Sequence, residues 1–200
     1  DADELAAALE PLGVVVAMRE RTRLGATLLD RLPNLRLIVT TGPFNAAIDV
    51  AAAAERGIPV SGTGGSVTPT SEMTWALILA VQRHVPAEDA AIRSGGWQHT
   101  IGRDLAGRRL GVVGLGRIGS LVAEVGRAFR MDVVAWSPNL TDERAAEAGA
   151  RRVARDELFA TSDVVTIHLV LSNRSRGLVG ERELRSMKPT AILVNTSRGP

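Results

Sequence analysis

The sequence predicts an α/β protein built on parallel sheets, and three observations carry that prediction. Short runs rich in valine and isoleucine, bounded by glycine or proline, alternate along the chain with segments of helical periodicity. Those runs are continuously apolar rather than alternating, the pattern of strands covered on both faces. A glycine-rich turn, GLGRIG, stands between one such run and one such helix. At 200 residues, 45% apolar and 23% charged, the chain can bury the core of one large domain or two small ones.

In the first third, strands are predicted at residues 14–17, 35–40 and 58–61, with a helix over 48–56. Residues 61–65 are small and glycine-rich, and Thr68 ahead of Pro69 reads as a helix N-cap followed by proline in the first turn. The helix that follows, through EMTWALILAVQRHV, is apolar nearly all round and is expected to lie between layers, as the connection joining two domains. From Leu110 the alternation resumes, with strands at 110–113, 132–136, 163–169 and 191–195 and a weaker one near Arg152. These make half to two-thirds of a doubly wound, Rossmann-type sheet. The first sheet lacks an edge and the second its last strands, so the chain is expected to be truncated at both ends.

Composition narrows the function. With no cysteine, a disulfide framework, a thiolate nucleophile and zinc-thiolate sites are excluded, and no metal site is expected. The isoelectric point near 10.2 suggests nucleic acid, but the net charge is only +2. With neither Cys nor Tyr and a single lysine, Lys188, almost nothing titrates between histidine and arginine, so a small positive balance persists to high pH. Arginines alternate with acids instead of clustering, and nucleic-acid binding is not expected. The densest apolar stretch, Trp75 to Val81, is too short to span a bilayer, and no basic-then-apolar leader opens the chain, so a cytoplasmic protein without membrane contact is expected.

Gly114, Gly116 and Gly119 stand at G-x-G-x-x-G spacing between a predicted strand and a predicted helix. The first glycine allows a tight turn, the second lets backbone approach a pyrophosphate, and the third lets helix pack on strand. The helix N-terminus, with Arg117 and Ile118, then faces the phosphates. Ile118, Leu121, Val122, Val125 and Phe129 form an apolar stripe toward the sheet. About 18 residues past Gly119, where an acid commonly binds the adenosine ribose, stands Ser137, which neither repels a 2′-phosphate nor supplies charge to hold one. The choice between NAD and NADP stays open at this point.

Several motifs in order, TTGPFNAAID, ERGIPV, SEMTWALILAVQRH, GGWQ, GRRLGVVGLGRIG, SDVVTIHLVLS and MKPTAILVNTSRG, resemble the D-2-hydroxyacid dehydrogenase family, which includes glyoxylate, hydroxypyruvate and phosphoglycerate dehydrogenases. The resemblance implies a Rossmann-type coenzyme domain inserted within a flavodoxin-like substrate domain, usually assembled as dimers. Residues 1–67 are then part of the substrate-binding domain and 68–200 part of the dinucleotide-binding domain. NAD moves ahead of NADP as the commoner cofactor of the family.

The resemblance also assigns residues. Arg198 in NTSRG is the family's catalytic arginine, whose planar fork suits the carboxylate and carbonyl oxygens of a 2-oxo acid. Leu169, Val170, Thr196 and Ser197 match positions lining the nicotinamide side, with Val170 where the family carries proline. The loop holding Asn45, Ala46 and Ala47 matches the one whose backbone N–H groups hold the substrate carboxylate, and Arg19 is a further candidate for the same cleft. The family's glutamate and proton-donating histidine lie beyond NTSRG. His168 is expected to be a hydrogen-bonded structural histidine, and neither His84 nor His99 is assigned to catalysis. The activity implied is hydride transfer between NAD(P)H and a small 2-oxo acid; the alternative is a non-catalytic dinucleotide sensor or corepressor of the same fold.

Overall fold

The computed structural model describes residues 1–170, 172 and 174–197. It divides into two compact units, Asp1–Ser66 and Val67–Pro200.

The first unit opens with α1 (Ala2–Leu9), started by a capping box in which the Asp1 carboxylate accepts from the Asp3 N–H at 2.7 Å. There follow β1 (Val14–Ala17), α2 (Ala26–Leu29), β2 (Leu37–Thr40), α3 (Val50–Glu55) and β3 (Val60–Gly62). The strands pair in the order β1-β2-β3, all parallel, with Val15 opposite Ile38 and Ile38 opposite Val60. Leu24, Leu29, Leu32, Ile38, Ile48 and Ala53 fill the core beneath them. Leu35 and Ile58, predicted as strand residues, belong to this core but precede the strands proper. Burial along β1 alternates: Val15 is buried, whereas Val14 and Val16 are 51% and 64% exposed. Two-faced burial therefore fails for this sheet, because only one face of the valine run is covered among the described residues.

In the second unit α4 (Thr68–Gln82) begins one residue before the expected start. Val67 already has helical dihedrals and is the N-cap, so Thr68 is the first helical residue. The single helix predicted through Val85 is broken: His84 adopts a left-handed φ of 54° and the chain restarts as α5 (Val85–Arg93). Pro86 is the physical reason. Inside a helix its ring would strike the Gln82 carbonyl and remove a hydrogen bond, whereas in the first turn of a new helix neither cost arises. The Gln82 carbonyl accepts instead from the Arg103 N–H at 3.1 Å. Nor is α4 enclosed between layers: Ser71, Thr74, Trp75, Ile78 and Gln82 are buried, while Met73, Leu77 and Val81 on the opposite face are exposed.

The sheet of this unit is built from β4 (Arg109–Val113), α6 (Arg117–Ala128), β5 (Asp132–Trp136), α7 (Asp142–Glu147), β6 (Arg151–Arg152), α8 (Arg155–Thr161), β7 (Val164–Ile167), α9 (Glu181–Ser186) and β8 (Ile192–Asn195). The strands run in the order β6-β5-β4-β7-β8, all parallel. Both faces are covered. Leu110, Val112 and Val164 join Trp75, Ile78 and Val122 on one side. Val113, Val134 and Val165 join Leu158 and Phe159 on the other. Each such side chain contributes about 1.5–3 kcal/mol on burial. Of the expected α6 stripe, Val122 is buried in the core and Ile118 and Val125 pack against it, and small residues, Gly119, Ala123 and Gly126, approach the sheet beside them: a Cβ on Gly126 would stand 2.6 Å from Leu110 Cδ2. Phe129 instead packs on Trp75, ring centroids 5.1 Å apart.

Candidate active site

The chain leaves β4 to form β5 on one flank, while β7 occupies the other, so the strand order reverses at the carboxyl end of β4. Ligands of open α/β sheets bind at such a switch point. Gly114 takes a φ of 99° there, donates its N–H to the Trp136 carbonyl at 2.8 Å, and leaves no room for a Cβ, which would lie 2.8 Å from the His168 carbonyl oxygen. A Cβ on Gly119 would lie 2.2 Å from the Gly114 oxygen, so only glycine lets α6 seat so close to the turn. In front of Gly116, the N-cap, nothing among the described residues stands within 4 Å of a would-be Cβ. The first intrahelical bond runs from the Ser120 N–H to the Gly116 carbonyl at 2.9 Å. The N–H groups of Arg117, Ile118 and Gly119 therefore have no acceptor within the helix. Three donors at the positive end of a helix, beside the open space at Gly116, fit a dinucleotide's pyrophosphate.

Around this turn the other predicted residues have defined roles. Ser137 follows β5, and its Oγ accepts from the Leu115 N–H at 3.0 Å, pinning the middle of the glycine turn. Thr196, just past β8, shares a 2.8 Å hydrogen bond with Thr74 of α4, and Thr74 donates to the Thr70 carbonyl at 2.8 Å, which makes Thr196 the donor of the pair. Ser197 donates through both N–H and Oγ to Asn195 Oδ1, at 3.0 and 2.7 Å. Leu169 packs against the cluster around Val113, while Val170 is exposed. Arg198 lies outside the described residues.

His168 departs from expectation. Both ring nitrogens are buried without a hydrogen-bond partner among the described residues. Strand alternation carries its side chain to the face of Val164, whose packing partners are apolar, and burial pushes its pKa down to about 4. The ring is neutral in the physiological range.

In the first unit, the loop after β2 is organised by Asn45, which is buried. Its Nδ2 donates to the Arg19 carbonyl at 2.7 Å and its Oδ1 accepts from the Ala47 N–H at 2.9 Å. The Ala47 carbonyl accepts from the Leu24 N–H at 2.8 Å. Ala46 is exposed. Of the three residues predicted to receive a carboxylate, Ala47 thus has its N–H engaged, while no bond is formed by the N–H of Asn45 or Ala46 among the described residues.

Residues 75–200 match the family model described as D-isomer specific 2-hydroxyacid dehydrogenase, NAD binding domain. The chain belongs to this family. It is 42% identical over 187 residues to a glyoxylate reductase of Aeropyrum pernix, covering 88% of this chain and 56% of that one. A D-3-phosphoglycerate dehydrogenase of Archaeoglobus fulgidus is 36% identical over 187 residues, covering 92% of this chain and 36% of its own length. The crystal structure of a phosphoglycerate oxidoreductase from Vibrio cholerae o395 superposes with a TM-score of 0.93 at 39% identity, covering 98% of this chain and 64% of that one. The chain spans about half the length, or less, of the curated relatives it matches.

Within this D-2-hydroxyacid dehydrogenase chain, the matched region holds the glycine turn, Ser137, Leu169, Val170, Thr196 and Ser197; Asn45, Ala46 and Ala47 precede it. The matched residues lie within the second unit. Sequence reasoning missed the residues that hold these groups in place. Asn195 had a local signal, because an asparagine two residues before a serine is an Asx turn. Thr74 had none: a threonine inside an apolar helix says nothing about a partner 122 residues away. No group of three or more His, Cys, Asp or Glu able to hold a metal occurs among the described residues. No helix there is long and apolar enough to cross a membrane.

Proposed function

We propose that this protein transfers hydride between NAD(P)H and a small 2-oxo acid, making or consuming the D-2-hydroxy acid. The observation that carries the reading is the glycine turn at the β4 switch point, open at Gly116, with three N–H donors that have no acceptor within the helix. Shared family with a glyoxylate reductase and a D-3-phosphoglycerate dehydrogenase supports the reaction class. The bound dinucleotide would give or take the hydride. The N–H groups of Arg117, Ile118 and Gly119 hold its pyrophosphate, Ser137 meets the adenosine ribose, and Leu169, Val170, Thr196 and Ser197 line the nicotinamide side. The loop of Asn45, Ala46 and Ala47 receives the substrate carboxylate, and Arg198 forks onto carboxylate and carbonyl oxygen, polarising the carbon that is attacked.

NAD is the preferred cofactor in this reading. Ser137 brings no charge, and the next charges along the chain are acidic, Asp142 and Glu143 in the first turn of α7, with Asp142 paired to Arg152 at 3.5 Å. Position 137 supplies no charge that would hold a 2′-phosphate dianion. The chain acts as a cytoplasmic homodimer. Met73, Leu77, Val81, Val85, Ile92 and Trp97 form a series of exposed large apolar side chains along α4, α5 and the segment after them, and such surface is seldom left to water.

The test is oxidation of NADH and NADPH by glyoxylate, hydroxypyruvate, pyruvate and bulkier 2-oxo acids in the full-length protein, beside Arg198→Ala. Turnover with NADH ahead of NADPH, and a loss of about 100-fold or more in kcat/KM in the variant, is expected. Light scattering on the same preparation is expected to give twice the protomer mass. Tight dinucleotide binding without turnover would replace the enzyme with a dinucleotide sensor.

A further inference from the structure

Asn45 does more than close a turn. Its Oδ1 bond to the Ala47 N–H, two residues on, is an ordinary Asx turn. The other arm has no local explanation: Nδ2 reaches back 26 residues to the Arg19 carbonyl. Arg19 lies just past β1 with a φ of 59°, a conformation that non-glycine residues adopt at a cost and keep only where neighbours enforce it. The Asn45 amide is such an enforcer. With 7% of Asn45 exposed, both ends of the amide are turned inward and committed, so the side chain is not itself a ligand group. Two loops, one after β1 and one after β2, are thereby tied at the carboxyl edge of a parallel sheet.

We infer that Asn45 is a positioning residue that selects which N–H groups of this loop receive the substrate carboxylate, engaging that of Ala47 and presenting those of Asn45 and Ala46. The inference rests on the 2-oxo acid reading and sharpens it, since Ala47 leaves the set of carboxylate donors. The seat is formed before substrate arrives, so little ordering remains to oppose binding.

The test uses the full-length protein, with Asn45→Ala and the more conservative Asn45→Asp. The aspartate keeps an acceptor for the Ala47 N–H but turns an oxygen toward the Arg19 carbonyl. KM for glyoxylate is expected to rise roughly 10- to 100-fold in the alanine variant, the scale of a lost hydrogen bond to a charged group, with kcat changed less than about threefold and NADH affinity unchanged. Asn45→Asp, which sets a buried carboxylate against the Arg19 carbonyl and beside the incoming carboxylate, is expected to raise KM at least as far as the alanine variant. Amide exchange measured by NMR supplies a readout that bare destabilisation does not move: without substrate the Ala47 N–H is protected and the Ala46 N–H is not, and glyoxylate protects Ala46. An unchanged KM in both variants, or glyoxylate acting on Ala47 rather than Ala46, overturns the inference. If the wild type binds NADH yet reduces no 2-oxo acid, the reaction reading fails separately. The clamp is then decided by Ala47 exchange in Asn45→Ala, where faster exchange supports it and unchanged exchange removes it.

Discussion

β1 and β4, VVVA and RLGVV, are both short, mainly apolar parallel strands, and they are buried differently. In β4 every residue from Leu110 to Val113 is enclosed, because α4 and α6 cover one face of the sheet and α8 the other. In β1 only Val15 is enclosed, and Val14 and Val16 stand exposed. An apolar run therefore records that a strand can be covered on two sides; which layers cover it depends on elements elsewhere in the chain.

The sharpest separation of the two units comes from adding one methyl group. Gly119→Ala drives a Cβ to 2.2 Å from the Gly114 oxygen, which is backbone and cannot swing away. NADH binding about 100-fold weaker or worse is expected by calorimetry, with a loss of about 1–3 kcal/mol in stability. Gly13→Ala in the first unit meets nothing nearer than 3.5 Å and is expected to change stability by less than about 0.5 kcal/mol. A second pair tests burial itself. Val113→Thr places a hydroxyl among side chains fully shielded from water and is expected to cost about 1–3 kcal/mol in urea unfolding, whereas Val16→Thr is expected to stay within about 0.5 kcal/mol. Should Val16→Thr cost as much as Val113→Thr in the full-length protein, the outer face of β1 is covered there and the contrast between the sheets disappears.

The smallest effect near neutrality belongs to His168. Its folded-state pKa, about 4, lies below the ordinary 6.5, so between these values the unfolded chain binds more protons than the folded one. Stability of the second unit is expected to fall as pH drops from about 6.5 to about 4 and to gain no further loss from this group below that. In His168→Gln this limb should flatten, as measured by urea midpoints across the interval. Equal slopes in variant and wild type would show that the imidazole titrates as if in water.

The parts of the molecule legible in the sequence are those where one residue type answers a local demand. Gly114 and Gly119 could be read because positive φ and close approach admit few alternatives. Pro86 carried its own message: it cannot continue the helix predicted through Val85, and the break at His84 follows. The α6 stripe was legible through Ile118, Val122 and Val125, whereas Ala123 and Gly126, which touch the sheet by being small, were missed because apolarity was weighed and closeness was not. Ser137 with Leu115, Asn45 with Arg19 and Thr74 with Thr196 are pairings 22, 26 and 122 residues apart. No periodicity encodes them, and they became visible only once the strands had brought their ends together.

The bond between Ser137 and the Leu115 N–H bears on any attempt to exchange one cofactor for another. In the proposed reading, the position that would meet the adenosine ribose is also the latch of the turn that would hold the pyrophosphate. An arginine installed at 137 to welcome a 2′-phosphate would remove the acceptor and slacken that turn, whereas an aspartate would retain it. Redesign of specificity here has to start from neighbouring positions and leave the latch closed.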